Sequence, residues 1–113
     1  MATLRRQAKS RAGTTLTFDA CTGGGDVVTN VDGKTELLIV NGSGGALTVT
    51  VAAVVTTINT SQGAYEMTSK AKSVGAGATV QMGPFEPGLF NNSSGQLAIT
   101  YSGVTSLTIA ALY

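Results

Sequence analysis

Apolar and polar residues alternate along most of this chain from about residue 14 onward. In residues 46–54, Leu47, Val49 and Val51 alternate with threonines. A period of two places successive side chains on opposite faces of a strand. Residues 34–40 end in an apolar run, which is typical of a strand covered on both faces. Because a glycine-rich turn sequence, 41–45, separates these two segments, we predict that they pair as a hairpin.

The same pattern predicts further strands at 14–18, 27–31, 64–67, 70–74, 78–82, 96–102 and 104–112, the last two as a second hairpin. Within 56–73 a short helix is the alternative, since helix-forming residues are present, but we favour extended segments. Phe18, Phe90 and Tyr101 fit core positions. About eight short strands at regular spacing are typical of a β-sandwich or small barrel. We therefore predict an all-β, single-domain, mainly antiparallel β-sandwich or jelly-roll-like barrel of about eight strands.

The first 13 residues differ from the rest in charge. The remaining 100 residues hold three lysines and six acids, a net charge of −3, and no acid precedes Asp19. The segment is too short and too poorly patterned to form a stable helix alone. We predict a basic, extended N-terminal arm over 1–13, flexible in the free protein, and a β-sandwich domain over 14–113. The arm carries four of the seven basic residues: Arg5, Arg6, Lys9 and Arg11.

Residues suited to catalysis or metal binding are few. The chain has no histidine and one cysteine, Cys21, so Cys/His zinc sites and a histidine base are excluded. Cys21 fits a small buried apolar position. Calcium shared by Asp26 and Asp32, or a carboxylate pair of Glu36 and Glu86, is conceivable, but solvated turn residues describe them better. We expect no catalytic, cofactor or metal site, and no enzyme activity.

Low charge is the most unusual property of the composition, since only 12% of residues are charged, about half the usual share. Either a partner covers much of the surface, or hydroxyl side chains solvate a monomer; composition leaves both open. We expect neither a secretory signal nor a membrane-spanning segment, since no apolar stretch follows the first basic residues and the longest apolar run is 51–55. We predict that Phe85, between Pro84 and Pro87, is an exposed contact for a partner. For the basic arm, protein binding ranks ahead of a solvated tail, and nucleic acid ranks last.

Several segments, in their order along residues 25–112, resemble a family of small tailed-phage virion proteins encoded among head genes. They are Gly25-Asp26-Val27-Val28, Asp32-Gly33-Lys34-Thr35-Glu36-Leu37-Leu38-Ile39-Val40-Asn41, Ala76-Gly77-Ala78-Thr79, Gly83-Pro84-Phe85, Phe90-Asn91-Asn92 and the closing run 97–111. Proteins of this family look like capsid decoration, or cement, proteins with β-sandwich or jelly-roll folds. The arm lies outside the matching segments, so the family implies no role for it.

The resemblance implies a structural virion protein that is made in the host cytoplasm and binds the capsid exterior across neighbouring subunits. The expected partners are the major capsid protein and other copies of this chain, with neither membrane nor nucleic acid involved. We expect Arg5, Arg6, Lys9 and Arg11 to anchor the body in an acidic capsid groove. The alternative is a phage tail or fibre component, or a glycan- or receptor-binding module on the same fold.

Overall fold

The computed structural model describes residues 2–113, which form two mixed β-sheets, a separate hairpin and one helical turn. All-β architecture is thereby confirmed. The described residues contain twelve strands, more than the eight expected. In chain order these are β1 (Ala2–Leu4), β2 (Arg6–Gln7), β3 (Asp19–Ala20), β4 (Asp26–Thr29), β5 (Glu36–Asn41), β6 (Leu47–Val51), β7 (Thr57–Thr60), β8 (Gly63–Glu66), β9 (Lys70–Val74), β10 (Thr79–Met82), α1 (Pro87–Phe90), β11 (Gln96–Tyr101) and β12 (Leu107–Leu112).

The two sheets each combine antiparallel and parallel pairs. The first sheet has the order β1-β4-β11-β6-β9, and the second has the order β10-β5-β12-β2, with β3 also paired to β12. Strand β1 is parallel to β4, and β2 is parallel to β12. The other pairs are antiparallel, including the hairpin of β7 and β8, which joins neither sheet. Every strand pair is therefore antiparallel except the two that involve the N-terminal strands β1 and β2, and the sheets are mainly antiparallel, as expected.

One hydrophobic cluster takes side chains from both sheets. Most of its fully buried members come from central strands, where alternate residues point inward, and Val74 of the edge strand β9 is also fully buried. Burying each such aliphatic side chain contributes about 1.5–3 kcal/mol. The first sheet supplies Val28, Val49, Val51, Leu97 and Ile99, and the second supplies Leu37, Ile39, Leu107 and Ile109.

Both predicted hairpins are wrong, because their strands lie in different sheets. β5 pairs with β10 and β12, whereas β6 pairs with β9 and β11. The turn after β5 is held by Asn41, a fully buried residue whose Nδ2 donates 2.8 Å hydrogen bonds to the carbonyls of Gly45 and Val74. These bonds direct the chain across to the other sheet. The connection from β11 to β12 also crosses, through Ser106 at a φ of 52°.

Of three other predictions, the strand at 14–18 is wrong, the core positions of the phenylalanines are partly wrong, and the extended segments after residue 56 are confirmed. Residues 14–18 do not form a strand. Instead, the side-chain amide of Gln7 accepts a hydrogen bond from the Thr17 N–H and donates one to its carbonyl, each at 2.8 Å. Phe18 is 38% exposed and was wrongly placed in the core, whereas Phe90 is buried as predicted. Residues 57–60, 63–66 and 70–74 are extended, as we favoured over a helix.

Candidate functional site

The N-terminal segment is part of both sheets. β1 lies parallel to β4 in the first sheet and places Leu4, 5% exposed, in the hydrophobic cluster. After Arg5 alone, β2 lies parallel to β12 in the second sheet. Backbone bonds from Lys9 N to Tyr113 O and from Tyr113 N to Gln7 O extend this contact. The segment is extended, as predicted, but the expectation of a flexible tail is wrong for residues 2–7.

Arg6 is the most constrained of the four basic residues in the arm. Its Nη1 lies 2.7 Å from Oδ1 of Asp32 and 3.3 Å from Oγ1 of Thr35. Its guanidinium carbon lies 4.2 Å from the ring centroid of Tyr113, a cation–π contact. The Lys34 backbone N–H and the Arg6 guanidinium hold the pKa of the Asp32 carboxyl below its ordinary value. Arg6 therefore fastens the segment to the body of the protein.

The other three basic residues divide between internal pairing and solvent. Lys9 forms an ion pair with Glu36, whose other carboxylate oxygen accepts a 3.1 Å hydrogen bond from Gln81. Arg5 and Arg11 are exposed and make no ion pair within residues 2–113. The four basic residues of the arm therefore do not form one group: two make internal ion pairs and two face the solvent. Arg5 helps to line an open cavity of about 500 Å³ with Arg6, Gln7, Thr17 and Asp19.

Phe85 is buried, so its predicted role as an exposed contact is wrong. The ring is 5% exposed and packs edge-on against Phe90, with centroids 5.3 Å apart. The carbonyl of Phe85 accepts a 3.0 Å hydrogen bond from the buried side chain of Asn30. This bond and the ring contact draw the loop inward. Pro84 and Pro87 on either side are exposed, and Pro87 is the first residue of α1.

The same loop forms one wall of an apolar groove that sequence reasoning missed. The groove has a volume of about 470 Å³. Its lining comes from two separate parts of the chain, 67–70 and 82–90, so no local sequence pattern could have revealed it. We call it the methionine groove; it is lined by Met67, Met82, Pro84, Phe85, Leu89 and Phe90, together with Gly83 and the charged residues Lys70 and Glu86.

A buried polar cluster surrounds Asp26, which is 1% exposed. Its Oδ2 accepts hydrogen bonds from the Tyr101 hydroxyl at 2.7 Å and the Thr22 N–H at 3.1 Å, and its Oδ1 accepts one from the Ala2 N–H at 3.2 Å. Both oxygens are thus engaged by donors of the chain, which leaves no basis for calcium shared with Asp32. Among residues 2–113 no group of three or more His, Cys, Asp or Glu side chains could hold a metal.

Cys21 and Tyr101 adjoin this cluster. Burial raises the pKa of the Cys21 thiol to about 11, with a smaller contribution from the negative charge of Asp26. The thiol is therefore protonated at neutral pH and is a poor nucleophile. Burial and the hydrogen bond to Asp26 raise the pKa of the Tyr101 hydroxyl. The hydrogen bonds to Asp26 hold β1, β4 and β11 together. Cys21 is buried, as predicted.

Comparison with known proteins identifies no relative: no protein-family model, curated protein or solved structure matches the chain. The resemblance to tailed-phage virion proteins stays a prediction. None of the helices in residues 2–113 is long and apolar enough to cross a membrane.

Proposed function

We propose that this chain is a structural virion protein that decorates and stabilises a phage capsid by binding across neighbouring subunits of the major capsid protein. The observation that carries the proposal is the exposure of Arg5, which lies between the strands β1 and β2 of the two sheets, and of Arg11, which follows these strands in the same arm. The order of short segments along residues 25–112 that resemble head decoration proteins also supports it. Its place is the capsid exterior, after synthesis in the host cytoplasm.

The fold that we propose for this role is a β-sandwich, in which the two sheets face each other across their common cluster. A jelly-roll connectivity is part of the same proposal. Such a body presents loops and strand edges on a rigid support. Binding through a rigid support costs less conformational entropy than binding through a disordered tail.

The arm acts differently in this proposal than a flexible tether would. Arg6 and Lys9 keep the segment against the body through Asp32 and Glu36, which leaves Arg5 and Arg11 to meet acidic groups of the shell. Exposed charge pairs are individually weak. Many copies on one lattice, each bridging subunits, add up to a much stronger shell through multivalency.

Contacts with neighbouring copies of the chain are also proposed. The low fraction of charged residues and the exposed apolar side chains of Val31, Val54 and Tyr65 suit burial against another surface. Val31 is 72% exposed and Tyr65 is 56% exposed. A homo-oligomer, or copies that touch only on the capsid, would cover them.

The second candidate function is a tail or fibre component that binds a glycan or receptor. One observation favours it: Tyr65 lies exposed on the β7–β8 hairpin, where an aromatic face could stack on a sugar. The two functions differ in copy number and place, since a decoration protein is present in hundreds of copies on heads. Quantitative mass spectrometry of purified heads and tails, together with a glycan array, distinguishes them.

The capsid proposal is tested by charge reversal at the exposed arginines. Arg5→Glu with Arg11→Glu is expected to weaken binding to shells of the major capsid protein encoded beside this chain by about tenfold. Each single reversal is compared with Lys34→Glu, which reverses one exposed charge outside the arm. Occupancy measured by sedimentation with shells should fall for the arginine variants alone. Undiminished occupancy of the double variant would exclude these residues as the anchor.

A further inference from the structure

β9 is an edge strand with one row of unpaired backbone groups. Among the described residues it pairs only with β6, in the antiparallel register Val49↔Lys72 and Val51↔Lys70. Antiparallel residues alternate between those that bond to one neighbouring strand and those that bond to the other. The direction in which each residue of β9 bonds can therefore be read from β6.

The hydrogen bonds between β6 and its other neighbour, β11, show in which direction each residue of β6 bonds. Thr48 O accepts a hydrogen bond from Ser102 N, and Ala52 N donates one to Ala98 O, so even-numbered residues of β6 bond towards β11. Odd-numbered residues of β6 therefore bond towards β9, where their partners are even-numbered. The backbone groups of Ala71 and Ser73 consequently point away from the sheet. They form a free edge that can accept another strand.

Two lysines flank these free groups on one face of β9. Lys70 and Lys72 are two residues apart, so their side chains share a face and lie about 6.7 Å apart along the strand. Both are exposed, and neither takes part in an ion pair within residues 2–113. An incoming strand with acids at alternate positions would match their spacing.

The methionine groove begins at the same end of β9. Lys70, the first residue of the strand, lines the groove beside Met67 and Phe85. A strand added antiparallel to β9 would run from Val74 towards Lys70 and then pass over the groove. Its residues would meet Lys72 first, Lys70 next and the apolar lining last.

We propose that β9 binds an extended segment of a partner protein by antiparallel strand addition, with acids opposite Lys72 and Lys70 and a large apolar side chain in the methionine groove. The segment has the pattern acid-x-acid-x-apolar. Backbone bonds to Ala71 and Ser73 supply affinity, and the side chains supply specificity. This goes beyond the proposed function, since it names a surface separate from the arm and holds whether or not the partner is a capsid protein.

A second copy of this chain does not fit the edge. No two acids lie two residues apart in the sequence; the nearest pair is Asp32 and Glu36. Pairing two copies of β9 through Ala71 and Ser73 would bring the lysines of both onto one face, where like charges repel. Lysines on an edge strand oppose pairing with other copies of the same edge, and they leave an acidic strand as the favoured occupant.

The probe is a fluorescein-labelled peptide, Ser-Glu-Thr-Glu-Thr-Phe-Ser, added to the full chain. Saturable binding by anisotropy is expected, with amide shifts in a nitrogen–proton NMR spectrum concentrated at 69–74 and 82–90. Lys70→Glu with Lys72→Glu should weaken binding at least about tenfold. Lys34→Glu is the matched control and should leave it unchanged. A peptide with lysine in place of both glutamates should not bind.

Ala71→Pro tests the backbone component separately. Proline removes an N–H that points away from the sheet, a position that edge strands tolerate. The variant should keep its unfolding transition yet lose peptide binding. Equal binding by the double lysine variant or by Ala71→Pro would overturn the proposal, as would amide shifts confined to other strands. Concentration-dependent dimers that Ala71→Pro abolishes would assign the edge to a second copy and would also overturn it.

Discussion

The hydroxyl of Tyr101 donates a 2.7 Å hydrogen bond to a carboxylate oxygen of Asp26, 75 residues earlier in the chain. Asp26 is 1% exposed and has no cationic partner among the described residues. A buried carboxylate without a cation depends on its hydrogen-bond donors. Those donors come from three places: β1, the loop that precedes β4, and the strand β11. This one carboxylate therefore connects the N-terminal strand to the centre of the first sheet.

Tyr101→Phe is expected to lower the free energy of unfolding by about 1–3 kcal/mol, because it removes one of three donors from a buried carboxylate. Denaturant unfolding followed by circular dichroism measures this change. Tyr65→Phe removes a hydroxyl from an exposed tyrosine and should change stability by no more than about 0.5 kcal/mol. Equal losses in the two variants would contradict the assigned role of Asp26.

Leu4→Ala is expected to lower stability by about 2–4 kcal/mol, because it leaves a cavity in the hydrophobic cluster. Hydrogen exchange should quicken at the amides of 26–28, which lie beside β1. Val31→Ala shortens an exposed aliphatic side chain and serves as the control. A flexible tail would predict no difference between the two variants.

Stability should fall as the solution becomes alkaline. The folded state raises the pKa of Cys21 from 9.0 to about 11, so the unfolded chain releases this proton first. The free energy of unfolding is thus unaffected below about pH 9 and falls between about pH 9 and 11, by at most about 2–3 kcal/mol. Tyr101 adds a fall above its ordinary value of 10.0, since its pKa is also raised.

Cys21→Ala separates the two groups. The substitution should remove the fall in the free energy of unfolding between about pH 9 and 10, and it should leave the fall at higher pH that is due to Tyr101. Urea unfolding at a series of pH values from 7 upward gives the comparison. A pH dependence in that interval that is identical with and without the thiol would show that Cys21 is not its source.

Phe85→Ala is expected to cost about 3–5 kcal/mol, because the ring is buried against Phe90. Thermal unfolding measures the loss. The neighbouring Glu86 is exposed, and its side chain makes no capping hydrogen bond to α1. The free energy of unfolding of Glu86→Ala should therefore stay within about 0.5 kcal/mol of that of the parent protein. If Phe85 were exposed, the two variants would instead have similar stability.

Periodicity was sufficient to locate strands but not to pair them. The alternation in 46–54 and the apolar run in 34–40 correspond to β6 and β5. A glycine-rich turn permits a hairpin or a crossing between sheets equally well. The choice depends on the bonds from Asn41 to Gly45 and Val74. Such contacts between distant residues are absent from any local pattern.

The N-terminal strands were beyond prediction for a related reason. β1 and β2 are three and two residues long, too short to show a period, and four positive charges dominate the segment. The only available signal was Leu4, a single large aliphatic. At the candidate surfaces, the exposure of Arg5 and Arg11 agrees with the sequence, whereas the pairing of Arg6 and Lys9 required knowing that Asp32 and Glu36 lie nearby.

The passage of the chain from β1 to β2 has a mechanical consequence. Only Arg5 separates a strand of the first sheet from a strand of the second. A fully extended residue spans at most about 3.6 Å, so the link has almost no slack. Any force that slides one sheet past the other at this end must first break the pairing of β1 or β2. The segment therefore works as a short tie that stiffens the protein against shear.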